Sequence, residues 1–122
     1  MAYLARGGKH LVLIRVEQNQ FLLHLDDGPE VNGCKPSVDV FFNSVADAIK
    51  KKVIGILLTG MGEDGVKGIS GLKAKGAVTI AQDAETSIVW GMPGAAVRAG
   101  VIDEIVPLGS IAERIKVLTG CK

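Results

Sequence analysis

Two largely apolar runs near the start of the chain predict a β-hairpin. They cover residues 11–16 and 21–25, and a polar stretch, residues 17–20, joins them. Short apolar runs separated by a polar loop are typical of paired antiparallel strands. Residues 26–36 then contain two glycines, two prolines and an asparagine, so this segment is predicted to be a loop.

Beyond the loop, helical patterns alternate with short apolar runs. Apolar positions at helical spacing predict an amphipathic helix over residues 38–50, with Ser37 as its N-cap and lysines at its end. The uniformly apolar residues 53–58 predict a buried parallel strand. The remaining predicted elements are a helix over 64–75, a strand over 77–81, a short helix over 94–99, a strand over 101–106 and a last helix capped by Ser110.

This alternation predicts the fold class. Strands that alternate with helices are typical of an α/β fold whose parallel sheet is covered on both faces. We therefore predict a doubly wound, mainly parallel sheet together with the antiparallel hairpin. The length of 122 residues predicts a single small domain.

Composition narrows the classes of function. The 14 Lys and Arg residues balance 13 Asp and Glu, and aromatic residues make up only 4%, so no nucleic-acid partner is expected. No apolar run approaches the roughly 20 residues that span a bilayer, so no membrane insertion is expected. Cys34 and Cys121 predict reduced thiols in a cytoplasmic protein. The spacing of Cys and His matches no metal site, and neither a metal nor another cofactor is expected.

The turn over residues 59–65 carries the best candidate chemistry. It follows the apolar run 53–58 and places the carboxylate of Asp64 among glycines. Ligands of open parallel sheets bind beyond the carboxyl ends of strands. The turn lacks the lysine of a phosphate-binding loop, and no acidic residue follows at the distance of a dinucleotide site. Two interpretations of Asp64 stay open: an ordinary cap of the following helix, or the acid of a nucleophile–base–acid set.

The residues alone do not supply partners for such a set. His24 lies inside the predicted hairpin and is predicted to be a strand-face residue, whereas His10 is predicted to make a loop contact rather than to act as a base. Ser37 is better explained as a helix cap than as a nucleophile. Cys34, with only Lys35 as a neighbouring cation, is predicted to be an inert thiol.

The order and spacing of several motifs resemble one family. At residues 58–65 the chain has the string Leu-Thr-Gly-Met-Gly-Glu-Asp-Gly, which is highly specific. The other matching segments are residues 3–5, 7–11, 28–33, 36–39, 79–83 and 91–93. Together they resemble, along nearly the whole chain, the catalytic domain of the chemotaxis protein-glutamate methylesterases, the CheB family.

The resemblance implies an activity and a mechanism. It implies hydrolysis of glutamate γ-methyl esters on the cytoplasmic helices of chemoreceptors, with release of methanol, and possibly deamidation of glutamines. The family uses a Ser-His-Asp triad on a doubly wound α/β fold. Asp64 matches the triad aspartate, which orients the imidazole, and Met61 matches the residue whose backbone N–H holds the oxyanion. Cys34 stands where the family usually has a histidine at a non-catalytic position.

The family's serine and histidine precede the segment that matches this chain. We therefore expect residues 1–122 to be a single partial methylesterase domain, truncated on its N-terminal side and without a receiver domain. Such a piece is expected to be inactive alone and to self-associate through an uncovered sheet edge. The alternatives are a non-catalytic module that binds receptors or other partners and, more remotely, an unrelated small-molecule-binding α/β domain.

Overall fold

A computed structural model of the protein describes residues 2–120, in which two small sheets and four helices are found. The hairpin consists of β1 (His10–Glu17) and β2 (Gln20–Asp26). The rest alternates in chain order: α1 (Val38–Ala48), β3 (Ile54–Leu57), α2 (Val66–Ala74), β4 (Val78–Gln82), α3 (Met92–Arg98), β5 (Glu104–Val106) and α4 (Leu108–Thr119). Cys121 lies outside the described residues, so the prediction made for its thiol stays open.

The predicted hairpin is confirmed, with a tighter turn than the polar stretch indicated. The strands β1 and β2 pair antiparallel, and Glu17 pairs with Gln20, so only two residues form the turn. Leu13 packs against the inner side of α1, and its backbone N–H donates to Ser44 Oγ at 2.9 Å. The hairpin is thereby attached to α1 through the middle of β1.

The strands β3, β4 and β5 form a parallel sheet in that order, with helices on both faces. Alternate side chains of a strand point to opposite faces. Leu57 packs with α2 and α3 on one face, and Ile80 packs with α4 on the other. The doubly wound, mainly parallel α/β fold with an antiparallel hairpin is therefore confirmed.

Most elements differ from their predicted bounds at one end or both: α1 ends at Ala48, β3 covers only Ile54–Leu57, β4 is Val78–Gln82 and α3 is Met92–Arg98. Three further differences have an identifiable cause. The second helix begins at Val66 rather than at residue 64, because Gly65 is its N-cap in a left-handed conformation. The last helix begins at Leu108 with Pro107 as its N-cap, so Ser110 lies inside the helix and the prediction that it caps it is wrong. The last strand covers only Glu104–Val106, because Val101 and Ile102 pack instead against the core beside α3.

An apolar groove of about 1060 Å³ runs between the hairpin, α1 and β3. Its lining includes Leu22, Phe41, Ile56 and Leu58, and Leu22 and Leu58 are large apolar side chains that remain exposed. The carboxyl end of β3, where the candidate turn begins, forms one wall of this groove. Separately, none of the helices in residues 2–120 has the length and apolar character required to cross a membrane.

Candidate functional site

The backbone of the turn after β3 is held from two sides. The N–H of Thr59 donates to Gln82 Oε1 at 2.8 Å, and the N–H of Gly60 donates to the carbonyl of Val89 at 2.9 Å. The carbonyl of Gly60 in turn accepts from the N–H groups of Gly91 and Met92, each at 3.0 Å. The turn is therefore fixed to the carboxyl end of β4 and to the start of α3.

A glycine is required at position 91 because the turn passes directly over it. A Cβ atom there would lie 2.7 Å from the carbonyl oxygen of Gly60 and 3.0 Å from the nitrogen of Gly62. These distances are far below ordinary van der Waals contact. The segment at residues 91–93 therefore supports the turn as well as leading into α3.

The carboxylate of Asp64 is buried and accepts four hydrogen bonds. Its Oδ1 atom accepts from Asn32 Nδ2 at 3.0 Å, from Ser37 Oγ at 2.7 Å and from the N–H of Asp39 at 3.3 Å. Its Oδ2 atom accepts from the N–H of Val38 at 2.6 Å. Of the two oxygens, Oδ2 thus has the greater remaining capacity to accept another donor.

These donors set the ionisation of Asp64. Burial raises the pKa of its carboxyl, but the hydrogen bonds from Asn32, Ser37 and the N–H groups of Val38 and Asp39 outweigh burial. The net result is a pKa below the ordinary value for an aspartate, because hydrogen bonds to the charged form favour it. Asp64 is therefore an anion at neutral pH.

The simple capping interpretation of Asp64 is wrong in one respect. Asp64 does not cap α2, the helix that follows it, because Gly65 occupies that position without a side-chain hydrogen bond. It binds the N–H groups of Val38 and Asp39 at the start of α1 instead. Ser37 caps the same helix as predicted, since its Oγ accepts from the N–H of Val40 at 3.3 Å.

A second buried carboxylate, that of Asp39, completes the arrangement. Its Oδ1 atom accepts from the N–H groups of Gly65 at 3.0 Å and of Gly68 at 2.7 Å, at the start of α2. Its Oδ2 atom accepts from Asn32 Nδ2 at 2.7 Å. The same amide nitrogen therefore donates to Asp39 and to Asp64.

Ser37, His10 and Asp64 lie close together, yet they do not form a triad. The hydroxyl of Ser37 donates to Asp64 rather than to an imidazole, and the serine is almost fully buried. Both ring nitrogens of His10 are engaged by main chain: Nδ1 accepts from the N–H of Ser37 at 3.2 Å, and Nε2 donates to the carbonyl of Pro29 at 2.7 Å. The predictions of a capping serine and a loop-binding histidine are confirmed.

The other candidates lie away from the carboxylate pair or are unreactive. His24 lies on β2 opposite Val12 and is exposed, as predicted for a strand-face residue. Cys34 is a free, half-buried thiol. Burial raises its pKa, and so do the negative charges of Asp64, Glu30 and Asp39, which agrees with an inert thiol.

Met61 lies at the tip of the turn with 77% of its surface exposed. Within residues 2–120 its backbone N–H donates no hydrogen bond to other backbone groups. An N–H without an internal acceptor is available to bind a ligand. The turn therefore combines a fixed backbone, an open N–H at Met61 and an ionised carboxylate at Asp64.

Sequence reasoning gave no role to three residues of the site, Asn32, Asp39 and Gln82, although all three lie in segments that resemble the CheB family. Asn32 precedes Gly33 in a two-residue turn that joins Val31 and Cys34, with φ of 55° and 73° at its two central residues. The Asn-Gly pair was the available signal for that turn. No local pattern showed that its side chain would lie between two carboxylates.

Comparison with known proteins agrees with this geometry. The family model described as CheB methylesterase matches residues 1–115. The chain is 50% identical over 116 residues to a protein-glutamate methylesterase/protein-glutamine glutaminase of Hydrogenovibrio crunogenus, covering 95% of this chain and 31% of that protein. A second such protein, from Vibrio vulnificus, is 50% identical over 112 residues, covering 92% of this chain and 32% of the relative.

A solved structure matches as well. The Thermotoga maritima CheB methylesterase catalytic domain superposes with a TM-score of 0.90 at 36% identity, covering 95% of this chain and 61% of that one. This chain thus spans about a third of the curated relatives it matches and under two thirds of the solved domain. With the family model matched over residues 1–115, the chain belongs to the CheB methylesterase family.

Proposed function

We propose that this chain supplies the acid and the oxyanion corner of a protein-glutamate methylesterase. The substrates would be glutamate γ-methyl esters, and possibly glutamine amides, on the cytoplasmic helices of chemoreceptors, which implies a cytoplasmic location. The observation that carries the proposal is Asp64, a buried carboxylate whose pKa is lowered by its donors and which stands at the carboxyl end of a parallel sheet.

In a Ser-His-Asp mechanism the aspartate accepts the Nδ1–H of the histidine and stabilises the imidazolium that forms when the serine loses its proton. Asp64 suits that role because it is an anion held rigidly by four donors. Its Oδ2 atom accepts only one hydrogen bond within residues 2–120 and is the oxygen that we assign to the imidazole.

Met61 suits the second role. When a serine attacks an ester carbonyl, the carbonyl oxygen becomes negatively charged, and a fixed N–H donor lowers the barrier by stabilising that charge. The N–H of Met61 has no backbone acceptor in the described part of the chain, and the turn around it is fixed through Thr59 and Gly60. Fixed donors need little reorganisation when the charge develops.

The nucleophile and the base would come from the part of the catalytic domain that this chain does not match. Ser37 and His10 cannot take those roles because their hydrogen bonds hold them in the main-chain framework. The assignment of residues 1–122 as a partial methylesterase domain stays a prediction, and it is supported by the 61% coverage of the solved catalytic domain.

Fragment complementation tests the proposal. The chain is co-expressed with the portion of the Thermotoga maritima catalytic domain that has no counterpart here, and methanol release from methylated chemoreceptor is measured. We expect activity from the pair, none from either piece, and a loss of about 10³-fold or more for Asp64→Asn. Asp47→Asn, an exposed aspartate on α1, is the matched control and should retain activity.

Two results would contradict the proposal. One is methanol release by the chain alone that Asp64→Asn leaves intact, since the chemistry would then lie elsewhere. The other is a well-folded pair that binds receptor fragments without turnover, which would favour the alternative of a non-catalytic binding module.

We also propose that the chain on its own self-associates through the exposed edge of the sheet at β3 and the apolar groove beside it. The groove borders β3, an edge strand of the parallel sheet, and exposes Leu22 and Leu58. Sedimentation over a range of concentrations should detect association that Leu22→Glu weakens. Val117→Glu, at an exposed apolar position of α4 outside the groove lining, is the control; equal effects of both variants would exclude the groove.

A further inference from the structure

One side-chain amide lies between two buried carboxylates. Asn32 Nδ2 is 2.7 Å from Asp39 Oδ2 and 3.0 Å from Asp64 Oδ1. Asp39 and Asp64 are each only 4% exposed. Two carboxylates that share a site repel each other unless donors are placed between them.

The chemistry of the bridge is restrictive. A single atom must offer two hydrogens in different directions, and a primary amide does so without adding a charge. Because both neighbours are acceptors, the orientation of the amide is determined: the nitrogen, not the oxygen, must face them. A carboxylate at this position would bring a third acceptor to the same point.

The backbone also favours asparagine here. Asn32 adopts a φ of 55°, in the left-handed region that asparagine tolerates better than most residues. The neighbouring N–H of Val31 donates to the carbonyl of Cys34 at 3.1 Å, and the N–H of Cys34 donates back at 2.9 Å. The turn is therefore closed, and it holds the amide over the start of both helices.

We propose that Asn32 is a positioning residue of the methylesterase reaction: its amide joins Asp39 to Asp64 and holds the Asp64 carboxylate with Oδ1 saturated and Oδ2 open to the catalytic histidine. This inference rests on the proposed function and adds to it a residue for which the family resemblance assigned no role. Asp39 takes part in the same arrangement because its Oδ2 atom accepts the other hydrogen of the amide.

The arrangement explains which oxygen is left open. Three donors converge on Oδ1, from the loop, from the N-cap serine and from the first turn of α1. Without the amide, the carboxylate keeps two donors at Oδ1 and one at Oδ2 and is held less firmly against rotation about its Cβ–Cγ bond. A rotation of this kind misaligns the imidazole, and misplacements of about 1 Å can reduce a rate by about 100-fold.

Two substitutions separate the side chain from the backbone. Asn32→Gly removes the amide while keeping the left-handed conformation, which glycine adopts without strain. Asn32→Asp keeps the size and replaces the donor with an acceptor. Asn19→Gly is the matched control, because Asn19 is an exposed turn residue of the hairpin whose side chain makes no hydrogen bond within residues 2–120.

The first measurement uses the 122-residue chain and needs no activity. Carbon-13 NMR follows the titration of the Asp64 carboxyl. Its titratable neighbours are Asp39, which shares the amide of Asn32, and Cys34, whose thiol pKa the charge of Asp64 raises. In Asn32→Gly the pKa should move up towards the ordinary value for an aspartate, since one stabilising donor is lost. It should rise further in Asn32→Asp and stay unchanged in Asn19→Gly.

The second measurement uses the complemented pair. We expect Asn32→Gly to lower kcat by about 10- to 100-fold with KM for the receptor changed less than twofold, and Asn32→Asp to lower it more. A merely structural role predicts instead that activity falls only with the folded fraction, which circular dichroism measures in the same samples. Unchanged titration of Asp64 together with unchanged kcat per folded molecule would overturn the proposal.

The two measurements distinguish failure of the inference from failure of the proposed function. If the wild-type pair releases no methanol, the function proposed for the chain fails, while the NMR titration still decides whether Asn32 holds Asp64. If the wild-type pair is active and Asn32→Gly is as active as Asn19→Gly, the function stands and the positioning role is excluded.

Discussion

Asp39 and Asp64 bind the starts of two neighbouring helices in a reciprocal way. Asp39, in the first turn of α1, accepts from Gly65 and Gly68 at the start of α2, and Asp64, just before α2, accepts from Val38 and Asp39 at the start of α1. Each anion lies where the helix dipole is positive. The exchange fixes the two helix starts to each other, and with them the turn that carries Met61.

Removal of Asp39 should destabilise the fold. In Asp39→Ala the N–H groups of Gly65 and Gly68 lose their acceptor in a buried place, which should cost about 2–4 kcal/mol of unfolding free energy. Urea denaturation measures the loss. Asp47→Ala, at an exposed position of the same helix, should change the unfolding free energy by less than about 0.5 kcal/mol. Equal losses of unfolding free energy in Asp39→Ala and Asp47→Ala would show that the buried hydrogen bonds to Gly65 and Gly68 do not stabilise the fold.

Two glycines of α2 should respond to alanine in opposite directions. A Cβ atom at Gly68 would lie 2.6 Å from Phe42 Cβ on α1, so Gly68→Ala should separate the two helices and cost about 1–3 kcal/mol. At Gly71 the nearest atom, Asn43 Oδ1, is 3.6 Å away. Gly71→Ala should therefore stabilise by about 0.5–1 kcal/mol, because alanine favours the helix. Thermal melts of the pair give the comparison, and a stable Gly68→Ala would contradict the close packing.

Substitution of Gly91 should disturb the candidate oxyanion turn while the fold survives. Gly91 has helical φ and ψ angles, so alanine brings no backbone strain, only contact with Gly60 and Gly62. In Gly91→Ala the amide NMR signals of Met61 and Gly62 should shift, and the amide of Gly60, which donates to the carbonyl of Val89, should exchange faster with solvent. Gly109→Ala, with no atom within 4 Å of the added Cβ, is the control. Unchanged Met61 signals would mean that the turn is not held from this side.

Acid should remove the stabilisation that Asp64 contributes. Burial raises its pKa, but its donors lower it more, so the folded pKa lies below the unfolded value. The contribution is therefore fully present above the unfolded pKa and is lost as pH falls through the folded pKa. The difference in unfolding free energy between wild type and Asp64→Asn should shrink across that window. Asp27→Asn, at an exposed carboxyl paired with Lys35, should show a much smaller pH-dependent difference.

Local patterns were sufficient for most elements because their causes are local. Apolar residues at helical spacing predicted α1, and Ser37 caps it because its side chain reaches the N–H of Val40, three residues ahead. The error at Ser110 has a local cause too: Pro107 has no N–H and its fixed φ suits a helix start, so the helix begins three residues earlier than the serine indicated.

Asp64 shows the limit of what local sequence patterns can predict. By itself the sequence determined that a carboxylate follows an apolar strand in a glycine-rich turn, because an apolar run and turn composition are properties of neighbouring residues. Only the tertiary structure decided what that carboxylate binds: its donors lie 25 to 32 residues away along the chain. Unsatisfied N–H groups at a helix start accept any suitably placed anion, so their partner is selected by the packing of α1 against α2 and not by adjacency in sequence.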